Sequence, residues 1–98
     1  MAYGYLATMR TTAGNRDKVV GILLSGVDGL RAAGCQVYAV SVSDTDPDLI
    51  WVSEVWHSKE HHDASLQLPE TKAAIAQAMP MLTGEFTGQE LTVAGGLW

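Results

Sequence analysis

The chain has 98 residues, enough for one domain (1–98) around a single core and too few for two. Its 6 Lys and Arg stand against 11 Asp and Glu, a net charge of −5, which argues against nucleic acid and anionic membranes as partners, since both are bound through basic faces. Cys35 is the only cysteine, so there is no internal disulfide and no multi-cysteine metal site. No apolar run reaches the roughly 20 residues that span a bilayer, and Met1 to Arg10 lacks a signal-peptide pattern, so the expected location is the cytoplasm.

Tyr3 to Thr12 is rich in β-branched and aromatic residues and reads as a first strand that Ala13-Gly14 breaks. Asn15 is the expected N-cap of a helix whose apolar stripe is Val19, Leu23, Val27 and Leu30. Gly21, Gly26 and Gly29 lie inside that stripe and each costs about 1 kcal/mol of helix propensity, so packing has to hold the helix together. Gly34 suits its C-terminal end near Ala33.

Cys35 to Ser43 is the second strand and Leu49 to His57 the third, joined by the turn Asp44-Thr45-Asp46-Pro47-Asp48. Closing a hairpin there places Val42 beside Ile50, Val40 beside Val52, Tyr38 beside Glu54 and Gln36 beside Trp56, all on one face. Cys35, Val37, Ala39, Ser41, Trp51, Ser53, Val55 and His57 share the other. Ser58 is the expected N-cap of a short helix to about Leu66, and Pro69 opens another that Pro80 ends. Glu85 to Val93 is the last strand, followed by the tail Gly95 to Trp98.

The order β-α-β-β-α-β implies an α+β, ferredoxin-like fold, a four-stranded antiparallel sheet with its helices on one face. Both faces of the sheet carry apolar residues, and one helical layer covers only one of them. A second copy of the chain would cover the other, so a homodimer with sheets face to face is expected.

The densest functional-looking stretch is Glu54-Val55-Trp56-His57-Ser58 followed by Glu60, His61 and His62. A carboxylate at Glu54, mid-strand among apolar neighbours, is partly desolvated, which raises its pKa and suits it to proton transfer. It could equally hydrogen-bond Tyr38 and only fix the fold. Trp56 is either a packing residue or a wall for a flat ring. His62 is a candidate base or pocket hydrogen-bonder. His57, His61 and His62 do not converge as metal ligands should, so no metal site is expected. Cys35 has no activating partner and reads as packing. Tyr3, Tyr5 and Met9 share a strand face and line either a cavity or the core.

Glu54-x-Trp56-x-Ser58-x-Glu60-x-His62, then Leu-x-Leu-Pro at 66–69, resembles the antibiotic biosynthesis monooxygenase (ABM) superfamily. The likeness extends to the first strand running into Gly14 and to the Asp46-Pro47 turn. It implies a dimeric α+β barrel with a cavity between sheet and helices. It also implies oxidation of an electron-rich aromatic, a quinol or anthrone-like phenol, by O2 without metal or flavin. In the quinone-forming members the strand tryptophan is a pocket residue, matched by Trp56; a tyrosine six residues later is His62 here, and an asparagine four residues earlier is Val52. The asparagine, tryptophan and histidine of the heme-degrading branch are replaced here by Ala7, Ser65 and Ile75, which implies no heme chemistry. The resemblance thus implies His62 or Glu54 as the base and Trp56, Tyr38, Val52 and Ser65 around an uncharged, mostly apolar cavity. The alternative is a dimer of the same fold that binds a small molecule, or serves structure alone, without turnover.

Overall fold

In the computed structural model, which describes residues 1–98, strand β1 (Ala2–Thr11) lies between β3 (Leu49–Trp56) and β4 (Leu82–Val93), and β2 (Cys35–Val42) flanks β3. The order β2-β3-β1-β4, antiparallel throughout, is the ferredoxin-like arrangement that the alternation of elements implies. Helices α1 (Arg16–Leu24), α2 (Val27–Ala32), α3 (Lys59–Ser65) and α4 (Pro69–Ala78) form the other layer. No helix is long and apolar enough to cross a membrane.

Where the sequence suggests one helix from Asn15 to Ala33, there are two. The Ser25 hydroxyl donates to the Ile22 carbonyl at 2.6 Å, satisfying a group that the next turn would use, and Gly26 follows in a non-helical conformation. Asn15 precedes α1, but its side chain does not cap it; Nδ2 donates to Thr12 Oγ1 at 2.7 Å instead. Ser58 caps α3 as expected, its Oγ accepting from the His61 amide. Pro80 falls in a short 3-10 turn, Met79–Met81, and β4 starts at Leu82, three residues before the expected Glu85.

The β2–β3 register is Val42 with Ile50, Val40 with Val52 and Tyr38 with Glu54. It then slips: a bulge between Cys35 and Val37 sets Cys35, not Gln36, opposite Trp56. The helices cover the face that carries Ile50, Val52 and Trp56. Val19 and Ile22 of α1 and Ala78 of α4 pack on Ile50 and Val52 to form the core. Cys35 is buried and donates its thiol to the Val37 carbonyl, and burial pushes the thiol up to about 11. It is a packing residue.

Candidate active site

Alternation along the strands puts four side chains in one row across the sheet: Tyr38 beside Glu54, Glu54 beside Tyr5, Tyr5 beside Glu90. Tyr3 and Trp56 form the next row. Helices α3 and α4 stand off this end of the sheet and leave a cavity of about 730 Å³. Its 22 wall residues include Ile22, Leu23, Leu30, Leu66, Ala74 and Ile75 from the helical layer, and 11 of them are hydrophobic, so an organic ring is the kind of guest it solvates.

The capped start of α3 aims its histidines in opposite directions. His61 turns outward, where its ring stands edge-on to His57 at 5.3 Å and against the backbone of Gly34. Gly34 adopts φ +103°, and a β-carbon there would meet His61 Cδ2 at 2.7 Å, so both shape and conformation call for glycine. His62 turns inward and is nearly buried, its ring 5.2 Å from those of Tyr3 and Tyr5 and edge-on to Trp56 at 5.7 Å. The fit extends to Gly88, where any β-carbon would collide with the Tyr5 hydroxyl.

Two hydrogen bonds fix the polar groups. Trp56 Nε1 donates to Glu54 Oε1 at 2.9 Å, and His62 Nδ1 lies 3.0 Å from Asp63 Oδ1. The hydrogen bond from His62 holds the Asp63 carboxyl below its ordinary range, so it is ionised and can only accept. The proton therefore sits on Nδ1, and in the neutral ring Nε2 is the acceptor.

Electrostatics narrows the choice of base. Burial, with Glu54 nearby, pushes the Tyr38 hydroxyl up to about 12; burial and the hydrogen bond to Glu90 do the same to Tyr3. Both stay protonated at neutral pH and serve as donors. Glu90 is pulled down by Lys59 and Tyr3, which makes it a poor base. Glu54 moves the other way, because burial raises its pKa more than the Trp56 hydrogen bond and His62 lower it. Glu54 is thus a wall carboxylate whose burial favours holding a proton, and His62 offers the ring nitrogen that its bond to Asp63 leaves free.

Of the residues singled out from sequence, His62, Glu54, Trp56, Tyr38 and Ser65 line the cavity. Ser65 spends its hydroxyl on the His62 carbonyl at 2.6 Å, so it shapes the wall and braces α3. Val52 does not line the cavity: two residues from Glu54 on the same face, it is 3% exposed and sealed under α1 and α4 in the core. The wall also carries Lys59, Asp63, Glu70 and Glu90, so the cavity is not uncharged as expected. The sequence reading missed Asp63; its adjacency to His62 was the available signal.

Residues 2–77 match the family model "Antibiotic biosynthesis monooxygenase". The chain belongs to that family. Among solved structures, one from Chloroflexus aurantiacus J-10-fl, titled as a candidate antibiotic biosynthesis monooxygenase, is 38% identical, with 98% of each chain covered and a TM-score of 0.82. A Caulobacter crescentus CB15 structure with a similar title is 22% identical over 96% of this chain and 91% of its own, TM-score 0.87. Rv0793 from Mycobacterium tuberculosis is 20% identical over 98% of both chains, TM-score 0.83. The last two speak to the fold alone. No match was found among curated proteins.

Proposed function

We propose that the protein is a cofactor-independent monooxygenase that oxidises an electron-rich aromatic, a quinol or anthrone-like phenol, with O2. The observation that carries this reading is the oriented His62: an imidazole with Nδ1 committed to Asp63 and Nε2 left as acceptor, inside an aromatic-walled cavity. Nε2 takes the phenolic proton, because the resulting anion passes an electron to O2 far more readily than the phenol does. Trp56 and the tyrosines hold the ring flat, and the apolar wall keeps water from the radical pair. One oxygen atom becomes a ring carbonyl and the other leaves as water, taking both hydrogens of the oxidised carbon in an anthrone, or the ring C–H hydrogen and the phenolic hydrogen in a quinol. Glu54, held by Trp56, is the second candidate for the proton.

The assembly belongs to the same proposal. On the sheet face away from the helices, Leu6, Trp51 and Leu91 are 36%, 41% and 46% exposed, and β4 is a 12-residue edge strand exposed along almost its whole length. An apolar face and a long bare edge on one side favour a second copy of the chain, giving a cytoplasmic homodimer with sheets packed together.

The test is incubation with a panel of quinols and anthrone-type phenols, in air and under argon, with isotopically labelled O2 in a third arm. Turnover only in the presence of oxygen, with one labelled atom in the product, supports the reading. Equal turnover under argon, or none above autoxidation, overturns it in favour of a dimer that binds without turnover.

A further inference from the structure

The cavity wall carries four carboxylates, Glu54, Asp63, Glu70 and Glu90, and one ammonium, Lys59. That ammonium is already committed: Nζ lies 2.7 Å from Glu90 Oε1 and 3.5 Å from Asp63 Oδ2. Glu54 and Glu70 form no ion pair within the chain. Glu54 is the inner of the two, anchored by the Trp56 indole in the row between Tyr38 and Tyr5.

Four aromatic rings, Tyr3, Tyr5, Tyr38 and Trp56, line the same cavity, and the Tyr3 ring already takes a cation: Lys59 Nζ stands 5.5 Å from its centroid. An aromatic enclosure with an unneutralised carboxylate at its base is the surrounding an organic ammonium ion seeks, since desolvation is offset by both ring faces and counter-charge. The same wall repels a carboxylated ring. It offers no free cation to meet it.

We propose that the cavity selects aromatic substrates bearing a protonated amine, with Glu54 as the counter-ion, and rejects carboxylated ones. This rests on the ring-binding cavity of the reading above and adds the charge of its guest. Burial is what displaces the Glu54 pKa upward, and a bound ammonium would offset that cost.

Three ring-matched probes separate the two ideas: naphthylmethylamine, naphthylmethanol and naphthoate, titrated into the whole protein by calorimetry at pH 7 with the Trp56 indole N–H followed by NMR. The amine is expected to bind about tenfold more tightly than the alcohol. Naphthoate should bind most weakly, and added salt should weaken only the amine. E54Q should bring the amine to the level of the alcohol. If the alcohol shifts the Trp56 signal but binds as well as the amine, or if naphthoate binds best, the charge selection is wrong and the ring cavity stands. If none of the probes shifts that signal, both fall.

Discussion

His62 Nδ1 and Asp63 Oδ1 are hydrogen-bonded at 3.0 Å although their residues are neighbours on one helix turn. Adjacent helical residues diverge by about 100°, so the contact requires the carboxylate to reach back around the backbone. In return the ring is held in one tautomer. Nitrogen NMR of the neutral histidine should show the proton on Nδ1 in the native protein. Asp63→Leu should release the ring to both tautomers and lower turnover about tenfold or more, whereas Asp63→Asn, whose carbonyl still accepts, should keep the native tautomer. A dominant Nε2–H form in the native protein would contradict the assignment.

Glu54 has its pKa raised by burial, so its neutral form suits the folded state better than its charged form does. The stability it contributes is full below its unfolded pKa, about 4.3, and is lost as pH rises through the higher folded value. Glu54→Gln keeps an acceptor for the Trp56 indole without the charge. Its melting temperature should exceed that of the native protein by a few degrees at pH 8, and the difference should vanish below about pH 4. A variant that melts lower than the native protein at pH 8 would show that Glu54 is already neutralised in the fold.

Trp56 is 1% exposed and is both the cavity's inner wall and the donor to Glu54. Trp56→Ala should cost about 3–5 kcal/mol in urea unfolding, from lost burial and a residual void. Trp56→Phe keeps most of the volume and loses the pyrrole ring with its N–H, so it should cost less. It should also leave Glu54 without its anchor, which ring-ligand affinity would register.

How much of this was legible beforehand follows from where each feature is encoded. The turn at 44–48 and the pairing of Val42, Val40 and Tyr38 are local: alternation plus one turn fixes them. The bulge at Gln36 is not, because nothing in period-two reading marks where a ladder slips. Nor could sequence choose the cavity's face, since Trp51 and Trp56 lie on opposite sides of one strand and are equally apolar. The charged rim was invisible for the same reason. Tyr3, Lys59 and Glu90 meet from β1, α3 and β4, the last two 31 positions apart in the chain.

The exposed face around Trp51 carries the proposal of a dimer. Light scattering at micromolar concentration should give twice the 10.5 kDa mass of the chain, and Trp51→Glu should bring it to one. A native protein that runs as a stable single chain would remove the paired-sheet assembly.

Oxygen uptake on a single quinol, compared between the native protein and His62→Gln, tests the chemistry most directly. The native protein should consume one O2 per product formed, and the variant should be slower by about 100-fold or more while melting within a few degrees of it. Equal rates for the two folded proteins would contradict the role given to His62.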